Sequence, residues 1–197
     1  AAAEIGQEIT SPATAANLNK LVDRMETIIR QFKFFVRGRQ EEKTRVRLSD
    51  ALHETIQLLS EDLKRNNISL DAAYVNPSIY LHAHQVQLEQ IFTNLLKNAI
   101  QAVEHTDDPA IRINLQQSAD TIDIVISDNG PGFAGANLSD MQEPFFSTKA
   151  SGVGMGLGLS IATEIIHDHR GTLRLGSVDQ GAEFIITLPL HRDEGTS

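Results

Sequence analysis

Leu18, Leu21, Met25, Ile28, Phe32 and Phe35 step along the chain at alternating intervals of three and four, and Val22, Ile29 and Val36 repeat every seven. The spacing predicts an amphipathic helix of heptad type, with Asp23, Arg24, Glu26, Arg30 and Lys33 around its apolar stripe. A stripe of that width is costly to leave in water, so the helix should pack on another helix or on a copy of itself. Residues 1–16 carry no strong pattern, and Gly38 to Lys43 reads as a polar hinge.

Beyond the hinge the pattern becomes that of a mixed domain. Arg45–Leu48 reads as a short strand. Ser49 or Asp50 should cap a helix that places Leu52, Ile56, Leu59 and Leu63 on one face and ends near Asn66-Asn67. Two short strands, Ile68–Ala73 and Ser78–Leu81, flank Asn76-Pro77. A long helix over roughly 84–105 buries Leu88, Ile91, Phe92, Leu95, Ala99 and Val103. Ile111–Leu115 and Ile122–Ile126 alternate as a strand pair turning at Ser118-Ala119-Asp120. Leu159, Ala162, Ile165 and Ile166 mark another helix, Thr172–Leu175 and Phe184–Leu188 are two last strands, and the tail after Pro189 is polar. Strands followed by strands, with helices between, predict an α+β fold whose helices cover one face of a mixed sheet.

Two features do not follow from folding alone. Gln87, Gln90, Asn94, Asn98 and Gln101 share one face of the long helix. Asn is a poor helix former, and two of them four residues apart stack their amides on neighbouring turns. The face is either a solvated surface or a neutral wall of amides suited to Mg²⁺ and phosphate oxygens. The second feature is the stretch from Asp128 to Ser160, bracketed by Gly130 and Gly132 in front and Gly152, Gly154, Gly156 and Gly158 behind. Alternate glycines weaken strand and helix alike, but they let backbone N–H groups approach a ligand closely. Here they open a helix, whose N-terminus suits phosphate. Met155, Leu157 and Leu159 are wrong for a solvated linker. No Gly-Lys pair exists for a P-loop, and Leu159 stands where a dinucleotide loop needs glycine.

Composition narrows the choice. A net charge of −9, no Trp and only two Tyr argue against nucleic acid or anionic lipid as a partner. The absence of Cys removes disulfides and thiolate metal sites. His82 with His84, and His167 with His169, are candidate metal pairs without a third ligand in sequence. No apolar run spans a bilayer. The Ala-Ala-Ala start leads us to expect a piece of a longer chain.

Asn94-Leu95-Leu96-Lys97-Asn98-Ala99 resembles the asparagine box of the sensor histidine kinases. Asp128-Asn129-Gly130-Pro131-Gly132 resembles their first glycine box. Glu143-Pro144-Phe145-Phe146-Ser147-Thr148-Lys149 is similar to their phenylalanine box, and Gly154-Met155-Gly156-Leu157-Gly158-Leu159 to their second glycine box. The resemblance covers about residues 45–190, with the boxes in the family's order. It implies the ATP-binding fold shared with gyrase and the large heat-shock and mismatch-repair ATPases: a two-layer sandwich of three main helices on a mixed sheet of about five strands. It further implies Asn98 on Mg²⁺, Asp128 on adenine, and a lid between Phe133 and Val153 over the triphosphate. The nucleotide set would be Asn94, Lys97, Asn98, Asp128, Gly130, Gly132, Phe145, Thr148, Lys149, Gly154, Met155, Gly156, Leu157 and Gly158. Asn94 and Lys149 would act in the transfer itself. Asn17 to Phe35 is similar to the second helix of the dimerisation and phosphotransfer hairpin, and its sequence resembles the C4-dicarboxylate sensor kinases and their nitrogen-sensing relatives. By that resemblance residues 1–40 are a partial hairpin region, 41–192 the catalytic domain and 193–197 a frayed tail. The partners implied are ATP or ADP, a phosphoacceptor histidine, a response regulator and a second copy through residues 17–37. The location implied is cytoplasmic, within a membrane-anchored parent.

The chain departs from the family in two places. None of its seven histidines is followed by an acidic residue and then Pro; His53-Glu54 comes nearest but falls in the catalytic domain. Gly181-Ala182-Glu183 stands where the family often has a hydroxyl residue. Position 94 is also informative. Relatives that hydrolyse ATP place Glu there as a base, whereas a neutral imidazole acceptor needs less help, so Asn94 favours a histidine acceptor over hydrolysis. Three readings follow: the ATP-binding half of a histidine kinase, a non-catalytic dimeric nucleotide-binding module, and a slow ATPase.

Overall fold

The computed structural model describes residues 42–72, 79–133, 137–142, 156–178 and 180–191. The heptad helix, the phenylalanine box with Phe145, Thr148 and Lys149, and the leading part of the second glycine box with Gly154 and Met155 lie outside the described residues. In chain order the elements are β1 (Thr44–Arg47), α1 (Leu48–Leu58), α2 (Ser60–Arg65), β2 (Ser69–Asp71), β3 (Tyr80–Ala83), α3 (Gln85–Val103), β4 (Ala110–Gln117), β5 (Thr121–Asp128), α4 (Leu138–Gln142), α5 (Gly158–Asp168), β6 (Thr172–Leu175) and β7 (Ala182–Pro189).

Five strands form one mixed sheet in the order β2-β4-β5-β7-β6, in which only β2 and β4 run parallel. The alternation seen in the sequence is the alternation of its faces. Ile111, Ile113, Ile122, Ile124, Ile126, Phe184, Ile186 and Leu188 are buried, while Arg112 is exposed and Asn114 and Ser127 are half-buried on the other parity. The apolar stripes of α1, α3 and α5 close over the buried face. The helix α3 supplies the centre of that layer through Leu88, Ile91, Phe92, Leu95 and Val103, all but inaccessible to water. Each such side chain is worth about 1.5–3 kcal/mol relative to exposure.

Three local expectations need correction. Ser49 and Asp50 do not cap α1: the helix begins at Leu48 after Arg47, and no side chain bonds its first turn. Leu48 is instead held by its N–H on the Ile79 carbonyl at 3.0 Å, a contact with a distant segment that the local sequence does not show. The first helix also breaks at Leu59, giving α1 and α2. The strands expected around Asn76-Pro77 exist but belong to different sheets. β2 joins the edge of the main sheet, while β3 pairs with β1 in a separate antiparallel ribbon. That ribbon meets the end of β7 through the His191 N–H on the Tyr80 carbonyl at 2.8 Å.

The candidate histidine pairs are split by the fold. His82 stacks on His191, and His84 meets His169 edge to face with ring centroids 5.9 Å apart. Among the described residues no cluster of three acidic or imidazole ligands forms. No helix among them is long and apolar enough to cross a membrane.

His84 and His169 instead fasten the ends of α3 and α5. His169 Nδ1 lies 2.8 Å from the Ile165 carbonyl, which requires Nδ1 to carry the proton, and leaves Nε2 to accept from the His84 N–H at 3.3 Å. Beside it Lys43 pairs with Asp168 at 3.1 Å and donates to its backbone carbonyl. Burial holds the His169 imidazole below its ordinary value, and Lys43 and His84 add to this against Ile165 and Asp168. Burial pushes the Asp168 carboxyl up, but Lys43 outweighs it and the net value lies below the ordinary one.

An imidazole with a lowered folded-state pKa contributes stability that is complete above its unfolded value of 6.5 and is lost as pH falls below it. The urea midpoint should therefore fall as pH is lowered from about 7.5 to about 5.5, and His169→Phe should flatten that part of the profile. Asp168 titrates outside this window, since its contribution is lost only below the ordinary carboxyl range.

Candidate functional site

The site is built where the end of β5, the start of β7 and the C-terminal half of α3 meet. Asp128 ends β5, on the same parity as the buried Ile122, Ile124 and Ile126, so its carboxylate lies on the helix-covered side of the sheet. Its Oδ1 accepts the Gly130 N–H at 2.9 Å. Burial raises the Asp128 pKa above the ordinary carboxylate value, against the N–H groups of Gly130 and Ala182, which favour its ionised form. A carboxylate partly stripped of water and aimed from a strand end gains from a new donor.

The glycines of this corner are there because nothing larger fits. A Cβ on Gly130 would lie 2.8 Å from the Ala102 carbonyl of α3. Gly132 has φ +73°, and a Cβ there would meet the Gly181 carbonyl at 2.6 Å. Gly181 has φ +86°, and its Cβ would meet the Asp128 carbonyl at 1.7 Å. Three backbone segments thus touch through bare Cα atoms, which only glycine permits. Asn129, between the acid and the first glycine, has a structural task. Its Oδ1 accepts the Ala110 N–H at 2.9 Å and its Nδ2 donates to the Asp108 carbonyl at 3.0 Å, locking the start of β4 to the end of β5. Phe133 packs edge to face on Phe184 at 5.2 Å, so the loop after the glycines is anchored in the core.

The polar face of α3 is not the open wall its spacing suggested. Gln87 and Asn94 are buried, at 2% and 6% exposure. Asn98 is half-buried, and Lys97 is exposed with no ion pair among the described residues. Asn94 sits against the first turn of α5: a Cβ on Gly158 would lie 3.6 Å from its Cγ, an ordinary contact. Asn94 Oδ1 accepts the Gln90 Nε2–H at 2.9 Å, while its Nδ2 is buried without a partner. α5 follows Leu157 with no side-chain cap, so its leading N–H groups have no partner from within the helix or from a cap. Gly156, at φ +65°, turns the chain into it. Uncapped N–H groups, a helix N-terminus and an unpaired amide N–H make a place for an anion.

The structure therefore brings Asp128, Gly130 and Gly132 to one corner and Asn94, Gly156, Leu157 and Gly158 to another, with Asn98 on α3 one turn beyond Asn94. Gly181 and Gln90 are the two residues whose part sequence reasoning missed. The signal for Gly181 was a lone glycine directly before a buried strand. The signal for Gln90 was its place four residues before Asn94 on one helix face. A depression of about 460 Å³ among Asp71, Arg112, Asn114, Ser127 and Glu183 reaches Asp128 and Asn129 at the end of β5, and Asn94 does not line it.

Residues 83–192 match the family model described as histidine kinase-, DNA gyrase B-, and HSP90-like ATPase. The C4-dicarboxylate transport sensor protein DctB of Pseudomonas aeruginosa is 28% identical over 169 residues, covering 85% of this chain and 28% of that protein. Sporulation kinase B of Bacillus subtilis is 32% identical over 181 residues, covering 89% of this chain and 41% of that protein. This chain therefore spans less than half the length of either relative. Among solved structures, the catalytic domain of histidine kinase ThkA superposes with a TM-score of 0.68 at 28% identity, covering 76% of this chain and 96% of that one. ThkA in complex with the response regulator protein TrrA matches with a TM-score of 0.70 at 23% identity, covering 94% of this chain and 54% of that one.

Gly181→Ala should be the most damaging single-methyl change in the site, because its left-handed φ comes with the tightest backbone collision, 1.7 Å against 2.6 Å at Gly132. A loss of about 2 kcal/mol or more in urea unfolding is expected. Gly158→Ala, which meets only ordinary contacts, should unfold at nearly the same urea concentration as the parent chain.

Proposed function

The chain belongs to the histidine kinase-, DNA gyrase B-, and HSP90-like ATPase family, as an ATP-binding catalytic domain of the sensor histidine kinase type, and on that premise we propose how its own residues serve that activity. Asp128 receives the exocyclic amine of adenine, with Gly130 and Gly132 keeping the surrounding backbone low enough for the base to approach. The observation that carries this reading is a half-desolvated carboxylate, fixed by the Gly130 N–H, at the end of a core strand.

The triphosphate lies toward Asn94 and the uncapped start of α5. Asn98, half-buried one turn along α3, offers a neutral amide oxygen. That donor fits Mg²⁺, which takes oxygen ligands and keeps several waters when phosphates complete its shell. When bound, the cation would balance charge on the γ-phosphate. The protein's part is positioning and electrostatic stabilisation, which are most of what phosphoryl transfer asks of it. Lys97 can add charge from the exposed side of α3. Phe145, Thr148, Lys149, Gly154 and Met155 complete the set by sequence resemblance.

The acceptor we propose is a histidine on a separate dimerisation hairpin, because none of the seven histidines here has the acceptor pattern. Such a chain would bind ATP without labelling itself efficiently. Dimerisation through residues 17–37 and a response regulator as the downstream partner are part of the same proposal. The chain's likeness to a kinase solved with its response regulator supports the latter.

Asn98→Ala should abolish transfer from labelled ATP to an added hairpin domain while leaving the circular dichroism spectrum unchanged; persistent transfer would remove Asn98 from the metal. Asp128→Asn presents a donor where the amine needs an acceptor, and should weaken ADP binding by about tenfold to a hundredfold in calorimetry, as loss of a charged hydrogen bond does. Phosphate release without acceptor should be slow, in keeping with Asn94; fast release would favour the ATPase reading.

A further inference from the structure

We propose that Gln90 is a positioning residue that fixes the amide of Asn94 with its N–H₂ free, making Asn94 a donor to phosphate oxygen rather than a metal ligand. The proposal rests on the nucleotide reading of the site. Gln90 stands one turn before Asn94 on α3 and donates its Nε2–H to Asn94 Oδ1 at 2.9 Å. That bond takes one lone pair of Asn94 Oδ1 and holds this oxygen, the atom a cation would need, on the Gln90 side. The other end, Nδ2, is buried without a partner in a side chain 6% exposed. The Gln90 bond sets which end of the amide faces Gln90, and so leaves the N–H₂ as the end without a partner.

The surroundings of Asn94 specify what is missing. Its Cγ is beside the first turn of α5, whose leading N–H groups have no side-chain cap. Backbone N–H groups, the positive end of a helix and an amide N–H₂ are all donors or positive. The group that satisfies them together carries acceptors and negative charge. Phosphate oxygen does; Mg²⁺ does not. The two asparagines, identical in type and four residues apart, thus take opposite tasks: Asn98 keeps its oxygen for a cation, and Asn94 offers hydrogen to an anion. Nothing in the two asparagines themselves separates them. Their burial separates them in part, Asn94 lying buried against α5 and Asn98 half-buried, and Gln90 sets the orientation of the first.

The test inverts the polarity of the positioning residue at nearly constant shape. In Gln90→Glu a carboxylate can only accept, so it should draw Asn94 Nδ2 to itself and turn Oδ1 toward the phosphates. Affinity for the nonhydrolysable analogue AMPPNP with Mg²⁺ should fall by about tenfold or more, while affinity for ADP falls less. The added negative charge is separated from the amide effect by a double-mutant cycle with Asn94→Ala. An effect routed through Asn94 shrinks in that background; a loss of equal size in both backgrounds overturns the proposal. A second readout needs no variant at Gln90. The side-chain ¹⁵N–¹H₂ pair of Asn94, assigned by its loss in Asn94→Ala, should move on adding Mg²⁺ with AMPPNP and stay in place with Mg²⁺ alone. Movement with Mg²⁺ alone, or none with either, overturns it. Failure of the unaltered chain to bind either nucleotide overturns the nucleotide reading first, and is told apart because it appears before any substitution.

Discussion

The corner where the Asp128 carboxylate meets the backbone N–H of Gly130, under a Gly181 that nearly touches the Asp128 carbonyl, is the constraint on which the rest of the site depends. It fixes where β5 ends, where β7 begins and how close α3 comes to both. A Cβ at either 130 or 181 would separate these segments by collision with backbone, which cannot step aside as a side chain tip can. Burial in this corner raises the Asp128 pKa against the Gly130 and Ala182 N–H groups, so the same packing that shapes the fold sets the chemistry of the carboxylate.

From this corner the function is laid out along α3. The helix is pinned to the sheet by an apolar stripe and carries on its other side a graded polar series: Gln87 buried, Asn94 buried but half-satisfied, Asn98 half-exposed. α5 runs beside it, its uncapped start at Asn94 and its far end fastened to the start of α3 through His84 and His169. The fastening also holds Lys43, just ahead of β1, on Asp168. One pair of packed helices therefore joins the anion corner at one end to the chain's entry into the domain at the other. Side chains fixed on packed helices suit the phosphate-positioning role proposed for this site.

Much of this was legible in the sequence because it is local and periodic. The α3 stripe, the hairpin of β4 and β5, and α5 opening at Gly156 and Gly158 each follow from residues close together in the chain, and the structure places these described residues as the periods indicate. What was not legible is non-local. Nothing in Arg45-Val46-Arg47 says that its partner is the Tyr80–Ala83 strand and not the main sheet. Ser49 looks like a helix cap, and lost that role because Leu48 found the Ile79 carbonyl thirty-odd residues away. Asn129 looked like part of a ligand loop and is a latch between two strands. Asn94 and Asn98 share one helix face, and the sequence does not show the direction of the bond by which Gln90 donates to Asn94 Oδ1. In each case a long-range contact or a hydrogen-bond direction decided the outcome, and neither leaves a periodic trace.

In the function proposed above, Asp128 reads a purine by accepting a hydrogen bond from it. The direct measurement is calorimetric titration of the unaltered protein, in Mg²⁺, with AMPPNP and in parallel with its guanine counterpart GMPPNP. Adenine presents an amine to Asp128 where guanine presents an oxygen, so the account predicts binding of the first and at least about a tenfold weaker response to the second. Equal heats and equal affinities for the two, or no heat with either from folded protein, would contradict it.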